Sequence, residues 1–368
     1  MYHSLKPFEN KIRKKILTFQ HTLWFIRSLL KNKSWPVVVN KILCVELNYI
    51  GDLIAITPAL RALKQKYPNS NISLLTLKGM EDVLWGNPNI SNIITEYDYN
   101  DYDLLVVFYA GRFWNASKLY QQLKHIHFKI GVTNHGIFSS FFPNLNLKVE
   151  YKQVKHIVED NLDVVRLIGA DTNNTSYDLF FRNEHLSELK RHPSYDKHKP
   201  FIILHPGSKN IYKIKKYASH WWPPENWYQI GKYFSKRFNV IITGSNQEKF
   251  LYHLINKINS NNSFIDAIGW FDINGLKNII NKAKLVISID SGPVHIASAF
   301  RTPVISLMGP QNPNIWKPLT NNGIALSHAE TFCKKLKCKK CHNIYMPLIT
   351  VDEVIKTAET LLKYNEYN

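Results

Sequence analysis

Residues 285–310 read LVISIDSGPVHIASAFRTPVISLMGP and decide the class of the fold. An apolar run at 285–289 leads through a short polar turn into a helix-like stretch at 293–300, and a second apolar run follows at 303–308. Short apolar runs bounded by turn residues indicate buried strands, and a helix between two of them is typical of a parallel sheet. The stretch therefore predicts a strand–helix–strand unit of an α/β fold.

The same alternation of apolar runs and amphipathic stretches extends over most of the chain. Predicted strands lie at 41–47, 72–77, 90–95, 104–108, 201–204, 240–243, 264–268, 285–289 and 303–308. Predicted helices lie at 57–66, 113–124, 153–168, 224–238, 246–258, 272–282, 293–300 and 351–364. Thr57 is expected to cap the first of these helices. Polar residues at 171–200 suit a boundary, so the pattern predicts two Rossmann-like units in tandem.

A segment at residues 1–40 precedes the first unit and follows a different pattern. Its apolar residues recur at alternating steps of four and three, which predicts one face of an amphipathic helix: Ile12, Ile16, Phe19, Leu23, Ile26 and Leu30. Lysine and arginine supply much of the remainder. Such a helix either packs onto the body of the protein or lies in the headgroup region of an anionic membrane, and both interpretations stay open.

The composition is that of a folded, strongly basic protein. Hydrophobic residues make up 45% of the 368 residues, which excludes disorder over most of the length. The 47 Lys and Arg exceed the 28 Asp and Glu, and the net charge of +19 predicts an anionic partner: nucleic acid, acidic lipid or a phosphorylated substrate. The absence of a secretory signal and the low count of four cysteines favour the cytoplasm.

The turns that follow strands are where a site is expected, because open parallel sheets bind ligands beyond the carboxyl ends of their strands. After the first strand, Gly51 permits a close approach of backbone and ligand, and Asp52 either faces the cleft or caps a helix. After the strand at 201–204, Gly207 and Ser208 are suited to phosphate oxygens, or form an ordinary solvated loop.

The turn after the strand at 285–289 leads directly into a helix N-terminus, which is a natural diphosphate site. It contains Asp290, Ser291 and Gly292, and His295 follows in the first helical turn. His295 is either a donor to phosphate or a satisfied core histidine. Common site motifs are absent: the sequence contains no G-x-G-x-x-G, no G-x-x-x-x-G-K-[ST], no H-E-x-x-H and no G-x-S-x-G.

Together these stretches resemble glycosyltransferase family 9, the heptosyltransferases of lipopolysaccharide core assembly and their relatives. The matching residues are 42–63 (ILCVELNYIGDLIAITPALRAL), 205–208 (HPGS), 222–227 (WPPENW) and 285–310. The resemblance implies a GT-B fold, in which two Rossmann-like domains face each other across a cleft. It also implies an inverting enzyme that uses no metal or other cofactor and moves a sugar, typically heptose from ADP-heptose, onto a lipid-linked acceptor.

The resemblance implies an acceptor domain at 41–185 and a nucleotide-sugar domain at 186–368, whose final helix crosses back to the first domain. It makes Asp52 the general base. The residues expected to bind or orient the donor are Ser208, Lys209, His220, Asp290, Ser291, Gly292, His295 and Gly309, with Gly51 and Gly207 at close backbone approaches. Relatives usually carry lysine where this chain has His220, so either protonated His220 or a neighbouring lysine takes that role. Glu46 stands where a basic residue is common.

Other interpretations remain beside this one. A nucleotide-sugar 2-epimerase has a similar fold, and a family 9 enzyme with another donor or a protein acceptor fits the same residues. Specific nucleic-acid binding is not expected, because no recognised motif accompanies the charge. The partners expected are a nucleotide sugar, an anionic glycolipid acceptor and, through residues 1–40, the inner face of the cytoplasmic membrane. Cys333, Cys338, Cys341 and His342 are expected to form a basic loop rather than a metal site.

Overall fold

The computed structural model describes residues 38–97, 100–109, 119–132, 145–149, 155–182, 187–208, 221–258, 264–328 and 345–364. The predicted helix within residues 1–40 lies outside the described residues, which begin at residue 38. Lys209, His220 and the segment with Cys333, Cys338, Cys341 and His342 lie outside them as well.

The first domain is built on a parallel six-stranded sheet in the order β3-β2-β1-β4-β5-β6. Its strands are β1 (Lys41–Glu46), β2 (Asn71–Leu75), β3 (Asn92–Ile94), β4 (Leu104–Tyr109), β5 (Phe128–Val132) and β6 (Leu147–Val149). Its helices include α1 (Ile50–Ala55), α2 (Thr57–Lys66) and α3 (Ile157–Arg166). These three helices cover the sheet face that carries Ile42 and Cys44, while Leu43 and Val45 pack into a separate cluster on the other face.

The second domain repeats this architecture with the sheet order β12-β11-β10-β7-β8-β9. Its strands are β7 (Phe201–His205), β8 (Asn239–Gly244), β9 (Ile265–Ile268), β10 (Val286–Ile289), β11 (Val304–Leu307) and β12 (Gly323–Leu326). The helices from here on are α4 (Ser187–Arg191), α5 (Pro224–Phe234), α6 (Lys249–Asn256), α7 (Ile273–Lys282), α8 (Gly292–Ala299), α9 (Pro313–Trp316) and α10 (Val351–Tyr364). Counted from its own first strand, each sheet has the order 3-2-1-4-5-6 typical of Rossmann folds.

The two predicted Rossmann-like units are therefore confirmed, although β5, β6 and β12 were not predicted and the start of the first unit differs from its prediction. Val39 is buried in the core and the Asn40 N–H donates to the Asp103 carboxylate at 2.8 Å, so ordered packing begins before residue 41. The capping role predicted for Thr57 is wrong. Its hydroxyl donates to the Ile54 carbonyl at 2.7 Å, because the short helix α1 runs almost directly into α2.

The final helix also departs from its prediction. Over residues 351–364 it does not cross back to the first domain but packs its apolar face, Val354, Ala358 and Leu361, into the core of the second. That core contains Trp222 and Trp227, which meet edge to face at 5.1 Å between ring centroids. The predicted return to the first domain is wrong for these residues, because the second domain buries the helix's apolar stripe.

The two domains are joined by a continuous apolar contact and by a buried lysine. One core cluster includes residues of both domains, among them Leu53 of α1 and Val294 of α8. On α7, the fully buried Lys277 ammonium donates to the backbone carbonyls of Asp82, Val83 and Phe180 at 2.8, 3.3 and 2.7 Å. Because a buried ammonium is costly unless it is hydrogen-bonded, these contacts fix α7 to the first domain.

Candidate active site

Helices α1 and α8 pack against each other at their N-terminal ends, and each has a glycine where the side chain of the other approaches. A Cβ on Gly51 of α1 would lie 2.7 Å from Cδ2 of His295 on α8. A Cβ on Gly292 of α8 would lie 3.0 Å from the Ile50 side chain of α1. Since both helices follow strands at the switch points of their sheets, β1 and β10, the contact lies where open α/β sheets bind ligands.

Asp52 lies in the first turn of α1, partly exposed at this contact. Burial raises its pKa to about 6, although hydrogen bonds from the backbone N–H groups of Tyr49 and Asp52 and from the Asn48 side chain oppose the rise. The carboxylate thus reaches back to the start of its own helix, as the helix-cap alternative predicts. Its place in a ligand cleft stays a prediction. A carboxylate with a pKa near 6 is suited to accept a proton at neutral pH.

Two further acids are close enough to Asp52 to respond to its charge. Burial and then the negative charge of Asp52 raise the pKa of Asp290 to about 7. The same two causes raise the pKa of Glu46, which is buried at the end of β1. Asp290 comes from the second domain and Asp52 from the first. The effect of the Asp52 charge on Asp290 therefore indicates that the two predicted acids lie near each other across the domain contact.

The N-terminus of α8 carries no side-chain cap. Ser291 occupies the N-cap position, but its hydroxyl donates to the Ile289 carbonyl at 3.1 Å and lies 3.0 Å from the Ser288 hydroxyl. The positive end of the helix dipole is therefore left open beside Gly292. Gly309 follows the neighbouring strand β11 and lies at the same edge of the sheet, as its position predicts.

The 205–208 turn lies next to the 290–292 turn, because Ser288 of β10 pairs with His205 of β7. A Cβ on Gly207 would overlap the carboxylate of Glu248, so glycine is required there by packing. Glu248 itself accepts a hydrogen bond from the Ser245 N–H at 2.6 Å and is buried. Ser208 lies partly exposed after this turn, and its contact with phosphate stays a prediction.

His295 is enclosed rather than exposed. Gly51 lies against one edge of the ring, the Trp316 ring meets it edge to face at 6.0 Å, and the Tyr177 hydroxyl lies 3.4 Å from Nδ1. Burial, followed by the nearby His156, lowers the pKa of His295 to about 3. The imidazole is therefore neutral and packs between the domains, and donation to phosphate stays a prediction.

Three residues at the domain contact were missed by sequence reasoning: His156, Tyr177 and Lys277. His156 caps α3 by accepting the Val158 N–H at Nδ1, so its Nε2–H donates to the Lys317 carbonyl of the second domain at 3.0 Å. Each of the three contacts a residue more than one hundred positions away in sequence. A local pattern carries no signal for such a contact.

With this geometry established, comparison with known proteins identifies the family. The model of glycosyltransferase family 9 (heptosyltransferase) matches residues 98–345, which is more than half of the chain. The chain belongs to this family. It is accordingly a glycosyltransferase, and the enzyme class implied by the sequence resemblance is confirmed.

Among curated family 9 relatives, lipopolysaccharide heptosyltransferase 3 of Escherichia coli K12 is 24% identical over 344 residues, covering 86% of this chain and 96% of that protein. Among solved structures, a family 9 glycosyl transferase from Veillonella parvula has a TM-score of 0.72 and 21% identity, covering 90% of this chain and 99% of that one. The structure of Escherichia coli ADP-heptose lipopolysaccharide heptosyltransferase II has a TM-score of 0.70 and 18% identity, with coverage of 89% and 99%. These similarities confirm the GT-B fold.

The described parts of this family 9 chain show neither a cluster of metal-ligating side chains nor a membrane-spanning helix. In the described ranges, no three His, Cys, Asp or Glu side chains come together as a ligand group for a metal ion. None of the helices that the structure describes has the length and apolar character to cross a bilayer. The roles predicted for Lys209 and His220 stay predictions, because both residues lie outside the described parts.

Proposed function

We propose that this glycosyltransferase moves a heptosyl group from ADP-heptose to a hydroxyl of a lipopolysaccharide-core or related surface-glycan acceptor, with inversion at the anomeric carbon. One observation carries the proposal. A carboxylate of the first domain, Asp52, and the uncapped N-terminus of α8 in the second domain are held side by side by the direct contact of α1 with α8. A base and an anion site on opposite walls are what transfer from a diphosphate donor requires.

The donor's diphosphate would bind at the start of α8. The helix dipole favours negative charge there, and Gly292 lets the phosphate approach the backbone. Negative charge grows on the leaving diphosphate as its bond to the sugar breaks. Donors that are already oriented toward that charge stabilise the transition state more than the ground state. Ser291 can turn its hydroxyl from the Ile289 carbonyl to the same oxygens.

Asp52 would act on the acceptor. As the acceptor oxygen forms its bond to the anomeric carbon, its proton passes to the Asp52 carboxylate, and the electron pair of the breaking carbon–oxygen bond leaves with ADP. Attack from the face opposite the diphosphate inverts the anomeric centre. A positioned carboxylate of this kind contributes roughly 10²–10⁴-fold to the rate. We further propose that no metal is needed, and that the positive end of α8 stabilises part of the charge of the leaving diphosphate.

The heptose donor is supported by the names of the relatives, which are a lipopolysaccharide heptosyltransferase and an ADP-heptose enzyme. The test is a transfer assay in which ADP-heptose competes with ADP-glucose, UDP-glucose and GDP-mannose on a deep-core lipopolysaccharide acceptor. We expect product from ADP-heptose, inverted configuration by NMR, and unchanged rates in excess chelator. Transfer from another nucleotide sugar instead would overturn the donor assignment, and loss of activity with chelator would overturn the metal-free mechanism.

We also propose that residues 1–40 dock the enzyme on anionic membrane. Their basic amphipathic pattern supports this, since each basic side chain near an acidic bilayer contributes about 1 kcal/mol. Removal of residues 1–37 spares Val39 and Asn40, which are packed on the first domain. In flotation with vesicles that contain an acidic phospholipid, the truncated chain should stay unbound at physiological salt. Equal flotation of both chains would contradict this docking role.

A further inference from the structure

Tyr177 stands out in the segment that connects the two domains. It is the one buried residue between Asp171 and Arg182, all of which the structure describes, although its neighbours Asn174 and Ser176 are exposed. A large side chain that is buried although its segment has no regular secondary structure must pack at a specific site on the protein. Its ring and hydroxyl lie at the domain contact, beside His295.

The backbone around Tyr177 is fixed to the first domain. The Arg61 guanidinium forms an ion pair with Asp178 at 2.5 Å and donates to the carbonyls of Asn174 and Ser176 at 2.8 and 2.9 Å. The Asp178 N–H donates to the Thr57 hydroxyl at 3.1 Å. Tyr177 therefore behaves as part of the first domain, although it lies in the connection.

The side chain of Tyr177 reaches across to the second domain. Its hydroxyl lies 3.4 Å from Nδ1 of His295, and the two rings meet edge to face at 6.3 Å. The other ring nitrogen of His295, Nε2, lies 3.1 Å from the position of a Cβ on Gly51. His295 is thus placed between Tyr177 and the turn that carries Asp52.

The tautomer of a neutral histidine is set by the hydrogen bond that its other nitrogen makes. Burial keeps both groups uncharged, because it raises the pKa of Tyr177 and lowers that of His295. A phenol O–H that donates to Nδ1 leaves the proton of the imidazole on Nε2. That N–H then lies on the side of the ring that packs against Gly51.

We propose that Tyr177 is a positioning residue: it donates to Nδ1 of His295, fixes the Nε2–H tautomer, and so holds the start of α8 in register with the Asp52 turn. His295 lies one turn into α8, and Asp290, Ser291 and Gly292 precede it. A fixed ring therefore fixes the alignment of the proposed anion site with the proposed base. The expected consequence for catalysis rests on the proposed function. The tautomer of His295 can be measured whether or not that function is correct.

The test is Tyr177→Phe, which removes only the hydroxyl. With 15N-labelled histidine and His295→Asn to assign the signal, the wild-type ligand-free enzyme should show a single Nε2–H tautomer, and the variant a mixture. In the transfer assay kcat should fall about five- to tenfold, as expected for one lost hydrogen bond, while the Kd for donor stays within about twofold. Tyr252→Phe is the matched control, because that hydroxyl donates to the Phe264 carbonyl within the second domain at 3.2 Å.

An unchanged tautomer in Tyr177→Phe would overturn the proposal, because the contact would then be packing alone. A mixture of tautomers with an unchanged kcat would overturn the role in alignment. An equal fall in kcat for Tyr252→Phe would do the same, since it would reflect a general loss of stability. The NMR measurement needs neither donor nor acceptor, so a wrong donor assignment and a wrong role for Tyr177 give different results.

Discussion

Helices α1 and α8 both begin at the switch point of their sheet, α1 after the first strand of its domain and α8 after the fourth, but the N–H groups at their N-termini have different partners. In α1, the Asp52 carboxylate accepts hydrogen bonds from backbone N–H groups of its own first turn. In α8, no side chain caps the helix, and the Ser291 hydroxyl is directed to the Ile289 carbonyl instead. The start of α1 therefore already binds a carboxylate of its own helix, whereas the start of α8 binds no side chain of its own, although Asp290 directly precedes it.

This difference explains how two similar domains can take different parts in one reaction. A helix start that holds a carboxylate repels a diphosphate and is suited to a neutral sugar hydroxyl. An open start attracts the diphosphate. In the proposed function, the division of labour between acceptor and donor follows from this difference, and changes at the two helix starts test it.

The largest effect is expected from Asp52→Asn. The amide keeps the size of the side chain but cannot accept the acceptor's proton, so kcat should fall by at least about 10²-fold. The Kd for donor, measured by calorimetry, should be unchanged because the diphosphate is proposed to bind at α8. Transfer at the wild-type rate would mean that α1 supplies no base and that the contrast between the two helix starts has another origin.

A smaller effect is expected from Gly51→Ala, which tests the contact between the helices. The new methyl group would lie 2.7 Å from the His295 ring. Overpacking of this kind costs about 1–3 kcal/mol, so the melting temperature should fall and kcat should drop roughly five- to hundredfold. In the double variant Gly51→Ala/His295→Ala, the alanine at 51 should cost no further stability relative to His295→Ala. Additive losses would place the strain elsewhere.

The pH profile should carry the signature of Asp52. With a pKa of about 6, its carboxylate is protonated below that pH, and kcat should fall about tenfold for each further unit of acidification. Asp290→Asn should leave this limb in place, because Asp290, with a pKa of about 7, is already protonated there and asparagine resembles its neutral form. A fall in kcat that began only near pH 4 would indicate that the base is an ordinary exposed carboxylate and not Asp52.

The smallest effect is expected from Ser291→Ala. If its hydroxyl turns to the diphosphate, the KM for donor should rise about three- to tenfold with little change in stability. Ser288→Ala is the matched control, because the fully buried Ser288 hydroxyl donates to the same Ile289 carbonyl at 2.7 Å. It should lower the melting temperature and leave KM unchanged. The reverse result would make Ser291 a structural residue.

The fold could be predicted from the sequence because strong strands alternate with long amphipathic helices. Helix α1 was missed although it carries Asp52. It has six residues and a glycine in its first turn, so it shows neither an apolar period nor high helix propensity. The cap predicted at Thr57 was wrong for the same reason, since a preceding helix already satisfies that end. The apolar face of α10 was visible in the sequence, but the sequence did not indicate which domain would bury that face.

The candidate site was predictable where it follows strand ends. Asp52, Asp290 and Gly292 are brought together as the topology requires. Tyr177 and His156 were not predictable, because their partners come from the other domain. A single polar or aromatic residue also forms no repeating sequence pattern that would mark it. Only the assembled contact between α1 and α8 gives them neighbours.

Lys277 has a consequence for the integrity of the enzyme as a whole. Its ammonium group binds Asp82 and Val83, which precede the connection, and Phe180, which lies within it. A protease that cuts at the exposed Asn173 and Asn174 would thus divide the chain without separating its parts. The nicked molecule should run as two bands under denaturing conditions and as one particle in gel filtration. The two halves could accordingly be produced separately and reassembled by complementation.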